Sequence, residues 1–193
     1  MRRAIRSDAR GAAAIEFALV VPFLLLLIMG LCELAYQGYI RAILTGAVEK
    51  AGRDSTIQGA DIDTIDDQVL TQVQQAAPRA SFSTGFPLRK SYTKFGYIQP
   101  EPFTDLNGDG VRQTGECYTD INNNKSWDAD PGSNGAGGAS DSVVYTVTIN
   151  YPRLFPLAAW LGWTGRQVLT ATTTLKNQPY GTQAVTAPAT VCL

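Results

Sequence analysis

Residues 10–44 read RGAAAIEFALVVPFLLLLIMGLCELAYQGYIRAIL, and this stretch decides the fold. Phe17 to Cys32 is sixteen residues without a charge. Ala12 to Ile15 extend the mainly apolar run to twenty-one, close to the roughly 20 residues that span a bilayer as a helix. After Glu33, the residues Ile40, Ile43, Leu44, Ala47, Val48 and Ala51 fall on one stripe of a helix. One helix is therefore predicted to leave the membrane and continue to about Arg53. Pro22 removes one intrahelical bond, which membrane helices tolerate.

The flanks of this run are asymmetric. Arg2, Arg3, Arg6 and Arg10 face a single Asp8 in residues 1–11, a local charge of +3, whereas everything downstream carries −4. Four arginines before the span, against only Arg41 shortly after it, place the N-terminus in the cytoplasm and the body outside. A removable secretory signal explains the Arg-rich start equally well, but Glu33 would stand three residues before a cut at Ala35, where a small residue is needed. The overall net charge of −1 argues against nucleic acid as a partner. The chain has no His, which removes imidazole catalysis and most zinc sites. Neither a GxSxG elbow nor a phosphate loop occurs, so no enzymatic activity is expected.

Glu16 is the informative residue. A carboxylate inside an apolar span costs roughly 2.5–3.5 kcal/mol on insertion scales, which makes it a functional candidate. The bland alternative is a glutamate hydrated among the headgroups. Its setting, Gly11-Ala-Ala-Ala-Ile-Glu16-Phe17 behind a short basic leader, resembles the processing motif of Flp-type prepilins and the TadE-like pseudopilins of the tight-adherence (Tad) pilus system. The resemblance covers some 35 N-terminal residues, Glu33 included. Near the C-terminus, INYPRLFPLAAWLG and KNQPY are similar to the family's less specific distal pattern, with Gln178 where Glu is more usual. About 60–140 matches no general family pattern.

The resemblance implies a pilin-like plan and the following expectations. A membrane-embedded prepilin peptidase cuts after Gly11, making Ala12 the new N-terminus, Glu16 the fifth residue and Phe17 the sixth. Residues 1–11 are then a cytoplasmic leader, 12–32 the transmembrane segment, 33–57 its extracytoplasmic continuation, and 58–193 an α+β domain. Partners are other pilins or pseudopilins, the pilus assembly platform and the membrane. The location is the inner (cytoplasmic) membrane, with the main domain periplasmic or extracellular.

The body reads as α+β. A second helix is predicted over 62–77, with Asp61 as N-cap, Ile62, Ile65, Val69, Val73 and Ala76 on one face, and Pro78 as the stop. Val143, Tyr145, Val147, Ile149 and Tyr151 alternate with polar or exposed positions, the pattern of a half-buried strand. Residues 167–176 read as a second strand, and 79–97 as one or two more. The sum is a long helix, a second helix and a small antiparallel sheet.

Between the strands, in an insertion at 101–140, Asp105, Asn107, Asp109, Gly110 and Glu116 fit D-x-[DN]-x-[DN]-G-x5-E. The spacing suits Ca²⁺: Asp105, Asn107 and Asp109 offer oxygens from one turn and Gly110 permits the bend. Val111 gives a carbonyl, Gln113 acts directly or through water, and Glu116 closes bidentately. Glu101-Pro102-Phe103 is a poor entering helix, and a solvated Asx-turn loop is the alternative. Fifteen residues on, Asp120, Asn122, Asn124 and Ser126 repeat the ligand positions, but Lys125 replaces the Gly and Pro131 the closing Glu. Asp128 or Asp130 is then the candidate to complete a second site. PGSNGAGGAS (131–140) reads as a flexible linker.

Three cysteines are too few for a disulfide framework. Cys32 reads as an inert thiol in the anchor, while Cys117 and Cys192 lie outside the membrane and could pair. Trp160 and Trp163 suit either core packing or the membrane interface. Two functions compete: a pseudopilin in pilus assembly for surface adherence, and a membrane-anchored calcium-binding adhesin or interaction module.

Overall fold

The computed structural model describes residues 10–155, 162, 164–182 and 187–192. The leader up to residue 9, Trp160 and Trp163 lie outside the described residues. Helix α1 runs unbroken from Arg10 to Ser55, through Pro22, about 69 Å at 1.5 Å per residue. Its two halves live in different surroundings. Phe17, Leu19, Phe23, Leu27 and Leu31 are exposed to whatever surrounds the helix, whereas Ile40, Leu44, Ala47, Val48 and Ala51 are buried against the body. The stripe read from the sequence is the packed face.

Helix α2 spans Ile62–Gln74. The Asp61 carboxylate accepts from the Thr64 N–H and, at 2.6 Å, from its hydroxyl. These bonds, the hydroxyl's first, hold the Asp61 carboxyl below its usual range. Ile65, Val69 and Val73 close onto the core. The helix stops at Gln74, a little before the predicted end, where Ala76 N–H bonds back to Val73 C=O in a tighter three-residue turn ahead of Pro78.

Seven strands follow among the described residues. They are β1 (Ser81–Phe82), β2 (Leu88–Tyr92), β3 (Tyr118–Asp120), β4 (Ser133–Asn134), β5 (Ser142–Pro152), β6 (Arg166–Lys176) and β7 (Ala189–Val191). The long hairpin partners β5 and β6 pair antiparallel over eleven residues, from Ser142↔Lys176 to Pro152↔Arg166. On the other edge of β5 lie β1 and β2, with β4 beyond β2. A separate ribbon pairs β3 with β7. Tyr145, Val147, Ile149 and Tyr151 turn inward with Leu169 and Ala171 to meet both helices. Thr146–Thr172 and Thr148–Thr170 bond across the opposite face, at 3.1 and 2.9 Å. Gly52 lets α1 approach β6: a Cβ there would stand 2.9 Å from Thr173 Cγ2.

One ion pair joins α2 to the sheet. Arg89 on β2 forks onto Asp66 at 2.6 and 2.8 Å, and the Tyr145 hydroxyl donates to the same carboxylate at 2.6 Å. The guanidinium also lies 4.0 Å above the Tyr145 ring. Burial, then Asp66, raise the pKa of Tyr145.

The Gly-rich run 131–140 is not the free linker expected from composition. Ser133 and Asn134 pair with Ser91 and Lys90, and Gly135 N–H donates to Arg89 C=O. Two of its glycines serve close approach: a Cβ on Gly132 would stand 2.6 Å from the Tyr92 ring, and one on Gly137 would stand 2.7 Å from Ser91 Cβ.

Candidate functional site

The N-terminal motif sits at the free end of α1. Gly11, Ala12, Glu16 and Phe17 are all exposed, and a Cβ added to Gly11 would meet nothing within 4 Å. Glu16 makes no hydrogen bond or ion pair with another described residue. A carboxylate among Ile15, Phe17, Leu19 and Val20, all exposed, and without a partner among the described residues is available to a second chain. Among the described residues α1 is the one helix long and apolar enough to cross a membrane. Cys32 is a free thiol, exposed on this half of the helix.

Where the apolar segment ends, Glu33 fastens α1 to the body. Its Oε2 accepts from the N–H groups of Leu154 and Phe155 at 3.0 and 3.3 Å, and Arg153 stands 3.8 Å from Oε1. Tyr36, one turn on, packs edge-to-face on Tyr151 with ring centroids 5.9 Å apart and donates to Ala76 C=O. Burial foremost, then Glu33, pushes Tyr151 up to about 12. The sequence marked Glu33 and the INYPRLFP segment separately; the structure shows them to be one joint.

The acidic insertion folds as two consecutive loops. In the first, Asp105 accepts from Gly108 N–H at 2.7 Å and Gly110 N–H at 2.9 Å. The Gly110 N–H foremost, against burial, holds the Asp105 carboxyl below its usual range. Asn107 Oδ1 accepts from Asp109 N–H, and Asp109 Oδ1 from Val111 N–H. Asn107 and Gln113 both donate side-chain amide hydrogens to Asp109. Glu116, 4% exposed, reaches back to the N–H groups of Leu106 and Gln113 at 2.9 and 2.8 Å. All six candidate ligand positions thus share one loop, with Gly110 at φ +75° where the motif needs it.

The second loop turns on Asp120, whose carboxylate accepts from Asn124 N–H and Lys125 N–H at 3.1 and 2.8 Å. Asn122 and Asn124 both donate to Asp128 Oδ2 at 2.7 Å, and Ser126 N–H bonds Asn124 Oδ1. Asp130 does not join them. Its carboxylate is taken by Tyr92, whose hydroxyl donates at 2.6 Å, and by the Lys90 ammonium. That pairing draws it toward the sheet, so of the two candidates for completing the site only Asp128 is in place. Among the described residues no three His, Cys, Asp or Glu side chains converge tightly enough to hold an ion alone. A calcium loop does not require that, since amide, carbonyl and water oxygens share the coordination.

Cys117, at the exit of the first loop, is joined to Cys192 by a disulfide. The bond lies beside the β3–β7 ribbon, so the chain's last described strand is tied to the paired loops.

No curated protein and no solved structure matches the chain. The family match that exists covers less than a quarter of the sequence and leaves the α+β body outside it. It falls on the helix described above, from the exposed Gly11 to Arg53 near the end of the packed half. Over residues 11–53 the chain matches the family model of TadE-like protein, so its N-terminal helix is similar to a TadE-like domain.

Proposed function

We propose that this protein is a minor TadE-like pseudopilin acting in assembly of a Tad/Flp-type pilus for surface adherence. The observation that carries the reading is the motif Gly11-Ala-Ala-Ala-Ile-Glu16-Phe17, exposed at the end of a free apolar helix whose other half is packed into a body. A prepilin peptidase cuts after Gly11, and the body stays on the outer face of the cytoplasmic membrane. The new Ala12 ammonium of one subunit pairs with Glu16 of a neighbour, where low dielectric strengthens the attraction and pairing offsets the cost of burying each charge. The partners are other pilins or pseudopilins and the assembly platform. The work is assembly and binding, not catalysis.

Glu16→Gln tests this directly, because it keeps size and polarity but removes the charge. Cells carrying it in place of the wild-type chain should process the precursor normally yet lose pili and pilus-dependent adherence. Wild-type piliation would leave Glu16 as a tolerated interfacial residue.

The loop at Asp105–Glu116 supports a second property, compatible with the first: Ca²⁺ binding, which the reading as a membrane-anchored adhesin would place at the centre. Asp105, Asn107, Asp109, the Val111 carbonyl, Gln113 and Glu116 supply the oxygens. Affinity should be that of an extracellular module, on the order of 10⁻⁴–10⁻³ M. At ten times the dissociation constant the ion should add about 1.4 kcal/mol of stability by mass action. Asp105→Ala combined with Glu116→Gln should remove that increment in thermal melts of the full chain. An unchanged increment would assign the calcium effect elsewhere.

A further inference from the structure

We propose that the cavity where α1 meets the foot of the body holds the phosphate headgroup of an anionic glycerophospholipid. This rests on the reading of α1 as a membrane span. The cavity has a volume of about 240 Å³. Tyr36 of α1 forms one wall, Pro78 and Arg79 after α2 a second, and Arg153 and Leu154 after β5 a third. Its height on the helix follows from two bonds. The charge-free run ends at Cys32. The next residue, Glu33, accepts from Leu154 N–H at 3.0 Å, so the Arg153–Leu154 wall is level with the end of that run. One turn on, the Tyr36 hydroxyl donates to Ala76 C=O at 3.1 Å. The Pro78–Arg79 wall therefore stands about 4.5 Å further out, at 1.5 Å per residue. The polar layer on each side of a bilayer's hydrocarbon is roughly 5–7 Å deep. Both walls lie within it.

The charges at this height are unbalanced. Arg79 is exposed, and its guanidinium makes no hydrogen bond or ion pair with another described residue. Arg153 donates through Nε to Thr164 C=O at 3.1 Å. Its Nη1 stands 3.8 Å from Glu33, the longest ion pair among the described residues. The other Glu33 oxygen is taken by two backbone N–H groups. No carboxylate lines the cavity among the described residues. Two guanidiniums against one partly engaged carboxylate leave a net positive pocket, and the planar fork of arginine matches the oxygens of a phosphate.

The apolar part of the lining fits the rest of such a lipid. Leu154 is 50% exposed beside the end of the span, where glycerol esters and the first methylenes of the acyl chains lie. Pro78 offers a second exposed apolar surface further out. Arginine stems lie along surfaces of this kind while their heads reach the phosphates. A tyrosine ring suits the headgroup level for the same reason. The positive balance favours a headgroup with net negative charge. A zwitterionic headgroup would bring its own ammonium against the same guanidiniums. A lipid held there fixes the height of the body on the bilayer, at the joint that Glu33 fastens.

The test is native mass spectrometry of the full chain released from bilayers of phosphatidylglycerol and phosphatidylcholine in equal amounts. Wild type should retain one phosphatidylglycerol, with a preference on the order of twenty-fold, about five-fold for each arginine. Arg79→Gln should lower that preference about five-fold, and Arg79→Gln with Arg153→Gln should abolish it. Should the double variant fail to fold, Arg79→Gln decides alone, since Arg79 has no partner to lose. Arg41 is exposed on α1, about 12 Å beyond Glu33 and more than a Debye length from the cavity's lower wall. Arg41→Gln should change nothing, and an equal loss there would replace the site with a diffuse charge effect. Millimolar inorganic phosphate should leave the lipid in place; its displacement would make this a free-anion site and overturn the lipid. Flotation of the same chain with vesicles reads insertion separately. A chain that floats without a lipid preference overturns this inference alone, whereas one that does not float overturns the membrane reading and the site with it.

Discussion

Asp66→Ala should lower the stability of the α+β body by about 3–5 kcal/mol, the cost of leaving one member of a buried ion pair without its partner. Arg89 is 8% exposed and directs two hydrogen bonds at Asp66. Without the carboxylate, its charge stays in the interior, and the Tyr145 hydroxyl loses its acceptor too. The damage falls where α2 meets β2 and β5. Replacing both partners, Asp66→Leu with Arg89→Met, should cost much less than the single change, because no uncompensated charge remains. Denaturant unfolding of the full chain in detergent reads both effects. A single-variant loss under about 1 kcal/mol would place the pair with ordinary surface bridges.

Gly11→Val should leave the precursor uncut, an all-or-none change in mass on a host that carries the peptidase. The argument depends on what Val would not do. A side chain at Gly11 meets nothing within 4 Å, and a β-branched residue costs an exposed helix only a few tenths of a kcal/mol relative to other residues. Folding and insertion should therefore be normal, and any block must arise at the enzyme that reads the site. Mature-length protein from this variant would show that the glycine is not read.

The elements that packing determines locally were legible in the sequence. The stripe from Ile40 to Ala51, the Asp61 cap and the alternation of Val143 to Tyr151 each follow from one period and one neighbour relation, and the structure places them as expected. The first acidic loop was legible for the same reason, since its candidate ligands share twelve residues. What the sequence hid depends on partners far apart in the chain. Asp66 reads as a polar position on an amphipathic helix until Arg89 and Tyr145 arrive from β2 and β5. Glu33 reads as the end of an apolar run until Leu154 and Phe155 present their N–H groups, 121 and 122 residues later. Glu101 reads as a flaw in an entering helix until Ile121 and Asp128 present their N–H groups to its carboxylate, 20 and 27 residues later. Asp130 fails in the opposite way: its spacing fits, but Lys90 and Tyr92 claim it. The 131–140 run misleads because small residues that permit close packing have the same composition as small residues that permit freedom.

The proposed role depends on removal of the leader, and the intact mass of the protein from its native membrane tests that most directly. The account predicts a chain beginning at Ala12, with Glu16 fifth. A mature chain that retains Met1, or begins beyond Ala35, would contradict it.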